Sequence, residues 1–157
     1  MSGAERAEED PMPEPDTTRR GGDTVAPTPL RPVGAVPATR EVTLTVPADT
    51  DVLSLVRLNA SLLASFAAFT VDEVDDLRIA VDEAVAYVAA VPGGDRIELR
   101  FVVGPDSLEL EAVRAGTTGH EPLSELAQIV LGATTDEFEH VLGPSQVRVR
   151  LRKRRGA

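Results

Sequence analysis

Glu83 and Tyr87 lie four residues apart in the run DLRIAVDEAVAYV, residues 76–88. At helical spacing such a pair sits one above the other on a single face. A carboxylate on a largely apolar helix can act as a general base, or it can simply accept hydrogen bonds where the face is partly open. The other chemistry-bearing residues are few. His120 and His140 are the only histidines, their spacing fits no familiar zinc pattern, and neither has a catalytic companion in sequence. There is no cysteine, which excludes a disulfide framework and a thiolate metal site. No nucleophile motif of the G-x-S-x-G or S-x-x-K kind is present. No metal site is expected.

Charge narrows the partners. The chain of 157 residues carries a formal net charge of -10, which argues against a nucleic-acid ligand, since neutralising phosphates needs a basic surface. Six carboxylates fall between 72 and 83 against Arg78 alone, and six cations crowd RVRLRKRR at 148–155. Acids at 72–76 suit the positive end of a helix dipole. Arg148, Arg150 and Arg152 alternate with Val147, Val149 and Leu151, which makes them the outer face of a last strand. No apolar run approaches a membrane span, and the first twenty residues lack the apolar core of a secretory signal. A cytoplasmic protein is expected.

The elements that must position Glu83 and Tyr87 are legible from periodicity. Residues 1–39 contain seven of the twelve prolines and no apolar period, and are expected to form a disordered tail. An ordered domain is expected over 40–154. EVTLTVPA alternates as a half-buried strand and ends at Pro47. Asp49 or Thr50 can cap a first helix with an apolar stripe of Val52, Leu55, Val56, Leu62, Leu63 and Phe66. Thr70 or Asp72 caps the second, which buries Val74, Leu77, Val81, Ala84, Val85 and Val88, and VPGG at 91–94 stops it. Strands at 96–103 and 107–113 follow across a GPD turn, then a short helix near 123–132 and a hairpin about Gly143-Pro144. The order β-α-α-β-β-α-β-β predicts a two-layer α/β sandwich, a mixed or antiparallel sheet covered on one face by helices.

DLRIAVDEAVAYV resembles the first ATP-binding motif of the anti-sigma-factor serine kinases, within the GHKL (histidine kinase-like) ATPase superfamily, and DEFEHVLGPSQVRVRLRKR resembles that family's closing hairpin. The resemblance covers roughly 40–154 and implies the histidine kinase-like ATPase fold. It places Glu83 at the glutamate near the attacking group and Tyr87 at the asparagine that holds magnesium between ATP phosphates. It places Gly116 and Gly119 in the glycine motif that follows the third strand. Here the departures begin. A phenol is a poor magnesium ligand. No aspartate lies between Glu111 and Glu121 to read adenine, and GHEPLSEL at 119–126 offers one glycine where a glycine-rich phosphate lid belongs.

The resemblance therefore implies a regulator that binds and sequesters an RNA polymerase sigma factor. A STAS-type anti-anti-sigma protein would release it by partner switching, and the chain would act as a homodimer with no bound cofactor. The alternative is an active serine/threonine kinase of the anti-anti-sigma partner, using ATP and Mg²⁺ with Glu83 assisting the serine hydroxyl. A second alternative is a non-catalytic accessory module of the same fold.

Overall fold

The computed structural model describes residues 39–118 and 122–156. In chain order these form β1 (Arg40–Pro47), α1 (Leu53–Phe66), α2 (Val71–Ala90), β2 (Arg96–Val103), β3 (Ser107–Ala115), α3 (Glu125–Thr134), β4 (Glu137–Leu142) and β5 (Gln146–Arg154). The strands make one sheet in the order β1-β2-β3-β5-β4, with every neighbouring pair antiparallel. Hairpin turns join β2 to β3 and β4 to β5. The expected tail falls almost wholly outside the described residues, and so do Gly119 and His120.

Alternation decides which side of the sheet is covered. Ile97, Leu99, Phe101 and Val103 of β2, Leu108, Leu110 and Ala112 of β3, and Val147, Val149 and Leu151 of β5 are all buried on the helix side. Burying one Val, Leu, Ile or Phe side chain contributes about 1.5–3 kcal/mol, and this layer packs against the buried stripes of the helices to form one core. The residues between them face the open side and carry charge. Arg100 pairs with Glu41, Arg150 approaches Glu111 at 3.9 Å, and Arg152 approaches Glu109 at 3.5 Å. The basic C-terminal strand is thus one rung set of a ladder of opposite charges on the uncovered face.

The second helix forms as its sequence predicts. Thr70 caps it: its hydroxyl accepts from the Glu73 N–H at 3.3 Å, and the Glu73 carboxylate accepts from the Thr70 N–H at 2.7 Å, a reciprocal capping box. Leu77, Ala80, Val81, Ala84, Val85 and Val88 are fully buried, and Val74 packs against the core at its edge.

The first helix differs from its expected phase. Asp49 caps a single 3-10 turn, Thr50–Val52, and α1 starts after it. Val56, Ala60, Leu63 and Ala64 are buried, while Leu55, Leu62 and Phe66 are more than half exposed. Two alanines on the inner face let α1 approach α2 closely, which turns the bulkier leucines outward. α3 begins two residues later than expected, with Ser124 as its cap.

Candidate functional site

The acidic stretch of α2 separates residue by residue into structural and unassigned groups. Glu73 closes the capping box and also accepts from the Gly156 N–H at 2.5 Å. Hydrogen bonds from the Gly156 and Thr70 amides hold its carboxyl below the ordinary carboxylate range. Asp75 pairs with Arg78 at 2.8 Å, and Asp76 with Lys153 at 2.9 Å. Asp82 accepts a two-pronged contact from Arg57 at 3.0 and 2.6 Å, which ties α1 to α2. Asp72 is exposed in the first turn. Glu83 is half-buried and has no hydrogen-bond or ion-pair partner among the described residues. It is the one half-buried acid of this stretch that the fold does not employ.

One turn on, Tyr87 is also half-buried. Its ring stands edge-on to the imidazole of His140 on β4, with centroids 6.4 Å apart and planes at 89°. Burial raises the phenol above its ordinary value, so it is neutral at physiological pH. Glu83 and Tyr87 share a face of α2 by their spacing, and His140 reaches Tyr87 from β4.

Gly116 has a positive φ of 70°, the left-handed region that favours glycine. Its amide is not open: it donates to the Ser145 carbonyl at 2.7 Å, in the β4–β5 turn. The Thr117 and Thr118 amides donate to Ser145 and Pro92 carbonyls at 3.4 and 3.0 Å. All three are committed to protein acceptors. Among the described residues no group of three or more acidic, histidine or cysteine side chains is placed to hold a metal ion. A cavity of about 420 Å³ lies elsewhere, on the open side of the sheet between β3, β5 and β4.

Sequence reading missed Arg114. It is only 8% exposed, and its guanidinium fans over the end of α2. It donates to the carbonyls of Ala89, Val91 and Gly94 at 2.6, 2.7 and 2.7 Å, with longer contacts to Val88 and Gly93. α2 has no basic residue in its last turn, so an arginine from β3 supplies the cation that the negative helix end favours. Gly94 fits beneath it because a Cβ there would lie 2.9 Å from the Ala115 carbonyl oxygen. A signal was available. Leu108, Leu110 and Ala112 face the core, and the same parity turns Arg114 inward.

These features define an α/β sandwich of five antiparallel strands and three helices, consistent with a GHKL-like ATPase fold. No protein-family model matches the chain. Relatives named serine-protein kinase RsbW do. The protein from Listeria monocytogenes serotype 4a is 35% identical over 82 residues, 50% of this chain and 52% of the relative. That from Bacillus subtilis is 34% identical over 73 residues, 44% and 46% respectively. That from Halalkalibacterium halodurans is 30% identical over 107 residues, 58% and 66%. Over the matched segment the chain is homologous to these serine-protein kinases, and it spans about half the length of the first two. No helix among the described residues is long and apolar enough to cross a membrane.

Proposed function

We propose that the protein is a cytoplasmic anti-sigma factor: it binds and sequesters an RNA polymerase sigma factor, and a STAS-type anti-anti-sigma protein displaces it by competing for the shared surface. The observation that carries the reading is the helix of Glu83 and Tyr87 in a homologue of serine-protein kinases. On this reading Glu83 keeps the family's carboxylate, and a neutral phenol packed against His140 replaces the metal-holding asparagine that the resemblance implies. Mg²⁺–ATP does not fit the described residues well. The amides of 116–118 are engaged by carbonyls. Arg114, two residues before Gly116, stands where the resemblance would put the aspartate that reads adenine, and its donors go to carbonyls at and just beyond the end of α2. Competition between two protein ligands needs only a difference in affinity, so nucleotide is not required for switching.

The homodimer belongs to the same proposal. Leu55, Leu58, Leu62 and Phe66 run along α1 at helical spacing and are between 52% and 67% exposed. A contiguous apolar stripe of this kind marks a protein interface. Arg40 at the start of β1 lies over the Phe66 ring, 4.5 Å from its centroid, which extends the face to the edge strand. Leu58→Glu should shift the mass measured by light scattering from two chains to one. An unchanged mass would remove α1 from the interface.

One observation favours the kinase alternative: Glu83 is half-buried and uncommitted, as a working base would be, in a chain whose relatives are named kinases. Calorimetric titration with ATP and Mg²⁺ separates the readings. The adaptor reading expects little or no binding, and tight Mg²⁺-dependent binding would contradict it.

A further inference from the structure

β4 is an edge of the sheet, paired with β5 and with no second neighbour among the described residues. An edge strand turns alternate N–H and C=O groups outward, where another chain can pair with them. The surroundings of this edge specify the other chain. On the open side, the cavity of about 420 Å³ is lined by Glu109, Glu137, Glu139, Arg150 and Arg152. Its arginines are drawn away from β4: Arg150 approaches Glu111 and Arg152 approaches Glu109 on β3, while Glu137 is taken by Arg154. Glu139 stands opposite Arg150 in register, yet it is exposed and has no ion-pair partner among the described residues. On the helix side, Gly132 of α3 lies against the Phe138 ring. The same helix leaves Leu126 and Ile129 about 70% exposed, at 71% and 68%.

We propose that the β4 edge is a docking strand for an extended segment of a partner protein in which basic and apolar residues alternate. Successive side chains of an added strand point to opposite faces of the sheet. One set would meet Glu139 at the mouth of the cavity, and the other would meet Phe138 and α3 around Gly132, one turn from the exposed Ile129. The net charge of -10 draws basic segments toward the molecule in general; the alternation supplies the register. The surface lies at the opposite edge of the sheet from β1, so it is separate from the face proposed for the second copy and does not depend on which partner the protein regulates.

The test uses the full chain, isotope-labelled, titrated with an acetylated and amidated (Lys-Val)₄ peptide. Two controls accompany it: (Lys-Lys-Val-Val)₂, with the same composition and no alternation, and (Lys-Val)₄ methylated on alternate backbone nitrogens. Amide shift changes should concentrate at 137–142 and along α3. Both controls should bind roughly tenfold more weakly, as should Glu139→Lys and Ile129→Asp. Equal binding of the two unmethylated peptides, or changes centred on the acids of 72–83, would mean general charge attraction and overturn the proposal. So would changes centred on β1, or unaltered affinity in Glu139→Lys.

Discussion

The two halves of α2 carry the same kinds of residue and use them differently. Through the first half, acids cap the helix or tie it to its neighbours: Glu73 to the cap and Gly156, Asp75 to Arg78, Asp76 to Lys153. Asp82, one residue before Glu83, is still structural through Arg57. At Glu83 the pattern stops, and the last turns present an uncommitted carboxylate and a half-buried phenol above an end fastened by Arg114. An acidic cluster is therefore not one feature. Neighbouring carboxylates can be fold and site in turn, and only their partners tell them apart.

Removing the buried stripe of α2 should do the most damage. Leu77→Ala should cost about 2–5 kcal/mol, comparable with much of a small domain's stability. Val81→Asp should unfold the chain, because it buries an unpaired charge. Thermal melts matching the parent's would mean that the helix is phased wrongly. Arg114→Met comes next. It keeps the bulk but leaves buried carbonyls without donors, and should lower stability in denaturant titrations by about 1–3 kcal/mol. No loss would show that the helix end is adequately satisfied without it.

Smaller effects sharpen the contrast between Asp82 and Glu83. A double-mutant cycle on Arg57 and Asp82, both partly exposed, should give a coupling of about 1 kcal/mol or less. Glu83→Ala should change stability by less than about 0.5 kcal/mol. A large loss in Glu83→Ala would place Glu83 among the structural acids. Glu73 provides the pH test. Its carboxyl is held below its ordinary value by the Gly156 and Thr70 amides, so its contribution is complete above the unfolded-state value and is lost as pH falls through the lower folded value. Glu73→Gln should therefore be less stable than the parent near neutrality, and the gap should close toward acid. A gap that is constant with pH would contradict that assignment.

Much of this arrangement was legible in the sequence. The strands declared themselves by alternation, and α2 by its 3.6-residue period and a cap at Thr70 or Asp72, of which the structure selects Thr70. α1 did not. It has two apolar stripes about a third of a turn apart, one of leucines with Phe66 and one that includes Ala60 and Ala64. Periodicity alone does not say which faces inward, and close packing against α2 chose the stripe containing the alanines. Arg114 and Lys153 were missed because cations were assumed to lie outside, although strand parity turns both toward the helices. The engagement of the Gly116 amide was not legible at all, since its acceptor, Ser145, is twenty-nine residues further along the chain.

The proposed function is competition between protein partners without phosphoryl transfer. Its most direct test incubates the purified protein with labelled ATP, Mg²⁺ and a cognate STAS-type protein, alongside Glu83→Ala and Tyr87→Asn. The proposal predicts no label on the STAS-type protein in any of the three, since on that reading the adenine and phosphate contacts are missing as well as the metal ligand, and groups of one catalytic unit do not act additively. Phosphate transfer by the parent chain that disappears in Glu83→Ala would contradict it and make Glu83 a catalytic base.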